Sequence, residues 1–124
     1  MSDDPREVFS LTEALDVLGD DEELLLEMGG ILLGQLPEDV AELQSAVRAE
    51  DAGRINRAAH RIKGAIASLG GAVVAASALS IERAGGAGDV AAARETLPAF
   101  EREIELFRTQ LSAHLARISS STTA

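Results

Sequence analysis

The sequence has no cysteine, no tryptophan and no tyrosine, and only three phenylalanines and three prolines. Without cysteine there is neither a disulfide framework nor a thiolate metal site. With aromatics at 2% of the chain, the stacking platforms that hold bases or sugars are missing. Basic residues are also scarce: 11 Lys and Arg stand against 21 Asp and Glu, a net charge of −10 at pH 7. Such a balance argues against nucleic acid or anionic membrane as the main partner, since both reward a basic face. No apolar run approaches membrane-span length. The start, MSDDPREVF, lacks the basic and apolar regions of a signal peptide. A soluble, cytoplasmic protein is therefore expected. No phosphate-binding Gly-x-x-x-x-Gly-Lys-Ser/Thr run and no kinase-type glycine-rich loop occurs, so no nucleotide site is expected either.

What the chain does have is 124 residues that are 46% hydrophobic, mainly Ala, Leu, Val and Ile. That suits one domain with a helical core. We expect an extension at 1–8, a domain at 9–118 and a flexible tail at 119–124. Ser10 and Glu13 have capping-box spacing, which predicts a short helix from about Leu11 to Leu18 ended by Gly19. Asp20 and Glu23 repeat the signature ahead of a second helix, from about Asp21 to Ala49. Its later half carries the stripe Leu36, Val40, Leu43 and Val47. Pro37 should kink it, and Gly29, Gly30 and Gly34 weaken its first half. Asp51 caps a third helix, about Ala52 to Leu69, with the stripe Ile55, Ala59, Ile62, Ile66 and Leu69. A fourth, about Ala72 to Ala84, is lined by Val74, Ala78 and Ile81 and ended by Gly85, Gly86 and Gly88. Asp89 caps the last, whose seam runs from Val90 through Phe100 and Phe107 to His114 and Ile118. The expected fold is all-α: an antiparallel four-helix bundle with a short additional N-terminal helix.

One residue on these helices stands out chemically. At about 100° per residue, His60 falls roughly 140° from the centre of the third helix's apolar stripe. It shares that outer face with Asn56, Lys63, Gly64 and Ala67. Lys63 is the only lysine, and at i+3 its ammonium can reach a group bound to the His60 imidazole. Gly64, at i+4, costs about 1 kcal/mol relative to alanine in a helix and leaves open space beside the ring. No Asp or Glu occurs from Ala52 to Ile81, so Arg54, Arg57, Arg61 and Lys63 make a locally positive helix on an acidic protein. Such a face would steer an acidic, phosphoryl-bearing partner. His114 lies on the last seam without such neighbours and reads as structural. Two histidines do not make a metal site.

The run Ala58-Ala59-His60-Arg61-Ile62-Lys63-Gly64, with Leu69-Gly70 ending the helix, resembles the signature of histidine phosphotransfer (HPt) domains. Phe9, Leu36-Pro37, Glu50-Asp51, Gly88-Asp89 and Leu97-Pro98 extend the likeness over about residues 9 to 111. The resemblance implies a phosphorelay carrier with His60 as phosphoacceptor through its outer ring nitrogen. Lys63 would help hold the phosphoryl group and Gly64 would clear the approach. Many members place Glu or Gln twenty-two residues after the histidine, near the inner nitrogen; here that is Glu82. Asn56, Arg57, Arg61 and Ala67 would border the docking surface, together with surplus apolar residues of the second helix. The implied partners are response-regulator receiver domains and a histidine kinase, met by a monomer. No cofactor is expected, and any Mg²⁺ would belong to the receiver. The protein would be a carrier, not an enzyme. A helical adaptor in which His60 is incidental is the rival from another class. A phosphoacceptor module detached from a larger chemotaxis-type kinase is a third reading.

Overall fold

The computed structural model describes residues 6–123. Within them the chain forms five helices and no strand: α1 (Leu11–Val17), α2 (Glu22–Arg48), α3 (Ala52–Ala67), α4 (Ala72–Gly86) and α5 (Val90–Thr123). Four of the starts are fixed by a side chain that accepts one of the free backbone N–H groups of the first turn. Ser10 Oγ accepts from Glu13 at 3.1 Å, Asp21 Oδ1 from Leu24 at 2.9 Å, Asp51 Oδ1 from Arg54 at 3.2 Å and Asp89 Oδ1 from Ala92 at 3.0 Å. The cap of α2 is thus Asp21 rather than Asp20, which instead takes a left-handed φ of 61° in the turn. α4 starts from Gly71 with no side-chain cap.

The expected stripes face inward. Ile55, Ile62 and Ile66 of α3, Val74, Ala78 and Ile81 of α4, and Phe100, Phe107 and Leu111 of α5 are fully buried, with Leu36 and Leu43 of α2. α3 packs on α2 and α4, and α5 packs on the same two, so the four long helices close a ring; α1 lies against α2. Burial of this kind is worth about 1.5–3 kcal/mol for each large apolar side chain.

Several boundaries differ from the sequence expectation, for tertiary reasons. α2 runs unbroken through Gly29, Gly30 and Gly34. Gly29 is buried where α5 crosses, and a Cβ there would stand 2.8 Å from Leu115 Cδ1. α4 does not end at Ala84 but continues through Gly85 and Gly86. Gly85 lies against α3, and a Cβ there would meet Asn56 N at 2.7 Å and Ala52 O at 2.9 Å. The stop is left to Gly88, with φ 74°. α3 ends at Ala67, two residues short of Leu69. The tail expected to fray beyond Ile118 continues α5 to Thr123. Val8, placed by sequence in an extension, is buried beside Phe9. Gln110 of α5 holds that segment, accepting from Val8 N and Phe9 N and donating to Arg6 O.

Candidate functional site

α3 carries the site because its other face is committed to the core. Ile55, Ala58, Ala59, Ile62 and Ile66 are buried, so the helix period turns Arg57, His60, Arg61, Gly64 and Ala67 outward, all exposed. The His60 side chain is 66% exposed. Its inner edge is nevertheless held. Nδ1 lies 2.9 Å from Glu82 Oε2 on α4, the helix against which α3 packs most extensively. The second carboxylate oxygen, Oε1, lies 2.7 Å from Lys63 Nζ as an ion pair, with no aligned hydrogen bond besides. Glu82 is only 17% exposed. His60 and Lys63, one helical turn apart, and Glu82, which the family resemblance places with them, are therefore one contiguous cluster.

The cluster's electrostatics decide which ring nitrogen is available. The Lys63 ammonium holds the Glu82 carboxyl below its ordinary range; burial opposes this and the His60 contact adds to it. An ionised carboxylate only accepts hydrogen bonds, so Nδ1 of a neutral ring beside it must carry the proton. The lone pair is then on Nε2, the nitrogen directed away from Glu82. Lys63 sits on Glu82 in this state rather than free over the imidazole. It balances the buried charge and remains within the i+3 range of a group added at His60.

Gly64 has nothing within 4 Å of where a Cβ would stand, so the space beside the ring is open. Asn56 is half-buried, and its Nδ2 donates to the backbone carbonyl of Glu82 at 2.8 Å. The sequence put it at a partner surface; the structure gives its amide an internal partner. The positive face is also less free than its composition implies. Arg54 pairs with Glu42 of α2 through Nε and Nη2 at 3.0 and 3.2 Å, and Arg61 reaches buried Asp39 at 3.9 Å. Acids absent from α3 arrive from its neighbours, a tertiary fact the local sequence does not carry. Arg57 makes no ion pair with any described residue.

Of the surplus apolar residues on α2, Leu25 and Leu32 enter the core, while Leu24, Leu26 and Leu33 are half-buried. Met28 and Ile31 remain exposed, at 41% and 61%, with Val17 of α1 at 62%. They line an almost wholly apolar groove of about 250 Å³ with Leu18, Ala65 and Leu69. It opens along α3 toward the C-terminal side of His60.

His114 is half-buried on α5, its ring 5.1 Å from that of Phe9 and 2.7 Å from Arg117 Nη2. Burial, and then the nearby Arg117 charge, push its pKa below the ordinary imidazole value, with Glu7 opposing. No group of three His, Asp or Glu among the described residues could hold a metal. No helix among them is long and apolar enough to cross a membrane.

An exposed, carboxylate-held histidine one turn from a lysine and an open glycine, on a helical bundle, is the arrangement a phosphotransfer class of protein requires. The Hpt domain profile matches residues 27–120, and the chain belongs to that family. Hpt domains are phosphoryl carriers of phosphorelays, where they meet kinases and receiver domains. Among solved structures, the chain is similar to histidine-containing phosphotransfer protein B (HptB) from Pseudomonas aeruginosa PAO1. The identity is 18% and the TM-score 0.82, over 91% of this chain and 98% of that one. No curated protein matches the sequence.

Proposed function

We propose that this protein carries a phosphoryl group on Nε2 of His60 between receiver domains and a histidine kinase of a multi-step phosphorelay. The observation that carries the reading is the pairing of an exposed His60 with an inner carboxylate, Nδ1 to Glu82 Oε2 at 2.9 Å. It leaves the outer nitrogen as nucleophile. In the transfer, the Nε2 lone pair forms the N–P bond as the P–O bond to the receiver's aspartate breaks and the carboxylate departs. The proton on Nδ1 stays against Glu82, whose carboxylate offsets the positive charge that develops in the ring. Lys63, drawn by the added negative charge, moves from Glu82 toward the phosphoryl oxygens. Reversal passes the group to the aspartate of a second receiver, and any Mg²⁺ the exchange uses would belong to that receiver.

The four long helices run antiparallel in this reading, a rigid mount that keeps His60 proud of the surface. The groove of Val17, Met28 and Ile31 supplies apolar contact to the docked receiver, and Arg57 and Arg61 steer it. The protein acts as a cytoplasmic monomer without autokinase activity. The test is transfer of label from phosphorylated receiver domains to the parent protein, His60→Gln and His114→Gln. Acid-labile, alkali-stable phosphate on the parent and on His114→Gln, and none on folded His60→Gln, is the expected result. Label on His60→Gln would refute the assignment, and absence of label on the parent from any receiver would favour an adaptor role.

A further inference from the structure

One half-buried polar contact beside His60 has no part in the transfer itself. Asn56 precedes His60 by one helical turn on the same side of α3, and its Nδ2 donates to the Glu82 backbone carbonyl at 2.8 Å. Glu82 is the residue whose carboxylate holds His60 Nδ1. α3 thus grips one residue of α4 twice, by main chain and by side chain. The grip has a prepared seat. Gly85 lets the two helix backbones approach so closely that any Cβ would meet Asn56 N at 2.7 Å, and a Cβ at Gly86 would stand 3.3 Å from Asn56 Nδ2.

We infer that Asn56 is a positioning residue for phosphotransfer: it fixes the height of Glu82 along α3 and through it the Nδ1–H tautomer of His60. This rests on the role proposed for Glu82. The physical reason is the length of the glutamate side chain. Its rotatable bonds place the carboxylate only as well as its backbone is placed, and a displacement of about 1 Å at a catalytic group can cost two orders of magnitude in rate. The Glu82 carbonyl lies just ahead of the last turn of α4, which ends at Gly86, where fraying and the two glycines would otherwise let the main chain drift. An amide bond from α3 at that carbonyl ties the carboxylate to the helix that carries the nucleophile.

The experiment reads the tautomer directly, by long-range ¹H–¹⁵N correlation on the His60 ring at a pH where the imidazole is neutral, without any partner protein. The parent should show mainly Nδ1–H. Asn56→Ala should lower the Nδ1–H to Nε2–H ratio several-fold, and Glu82→Ala should lower it at least as far. The double variant should match Glu82→Ala, because Asn56 acts only through Glu82. If Asn56→Ala fails to fold, Gly86→Ala replaces it, since its methyl presses on the amide alone; it should lower the ratio in the same direction. An unchanged ratio in either folded variant, or a further fall in the double variant, overturns the role of Asn56. A parent ring that is mainly Nε2–H overturns the role of Glu82 on which it rests. Neither result bears on whether His60 accepts phosphate, which the label-transfer test decides separately.

Discussion

Gly64 lies in the interior of α3, and a Cβ there would meet no atom within 4 Å. Glycine in such a position costs about 0.5–1 kcal/mol relative to alanine, with no clash here to set against the gain. Gly64→Ala should therefore stabilise the protein by about 0.5–1 kcal/mol, a rise in Tm of about 2–6 °C for a domain of this size. The new methyl would stand one turn from His60, in the space a receiver must enter. In-line transfer tolerates little displacement, so the transfer rate should fall about tenfold or more. Urea or thermal unfolding and single-turnover label transfer, run on the same preparation, measure both effects. Gly30→Ala is the control: its site is equally open, it lies on α2, and it should gain stability at unchanged rate. A Gly64→Ala variant that is stabilised and transfers at the parent rate would refute the access argument. A destabilised one would refute the open geometry.

Two further outcomes follow from the same contacts. His114 has a pKa lowered in the folded state, so unfolding favours its protonation. Its contribution to stability is present above the unfolded value near 6.5 and is lost as pH falls toward the folded value. Between pH 7.5 and about pH 5.5 the parent should then lose more stability than His114→Gln; equal losses in thermal melts at the two pH values would contradict this. Arg57→Glu combined with Arg61→Gln should lower the rate of receiver association and its salt dependence, with the dissociation rate changing less. Stopped-flow binding at two ionic strengths measures this, and an effect confined to dissociation would contradict it.

Much of the fold is legible in the sequence because local signals and burial agree. The caps at Ser10, Asp51 and Asp89 and the inward stripes of α3, α4 and α5 all appear as the residues dictate. What is not legible is tertiary. Gly85 reads as a stop, but it is a place where another helix needs its missing Cβ. Arg54 and Arg61 read as a free basic face because their partners, Glu42 and Asp39, come from α2. Asn56 reads as a surface residue because its acceptor is a carbonyl twenty-six positions away. The site is more legible than its supports. His60, Lys63 and Gly64 sit within one turn of each other, and Glu82 stands at the spacing the family resemblance implies. Asn56 had no local signal beyond an amide on the His60 face.

The ring nitrogen that bears the phosphoryl group is the sharpest test of the proposed roles of His60 and Glu82. ¹⁵N and ³¹P NMR of the ¹⁵N-histidine-labelled protein, phosphorylated by its receiver, distinguish the two isomers. With Nδ1 held 2.9 Å from Glu82, a single phosphohistidine is expected, at His60 and on Nε2. Phosphate on Nδ1 of His60, or on His114, would contradict it.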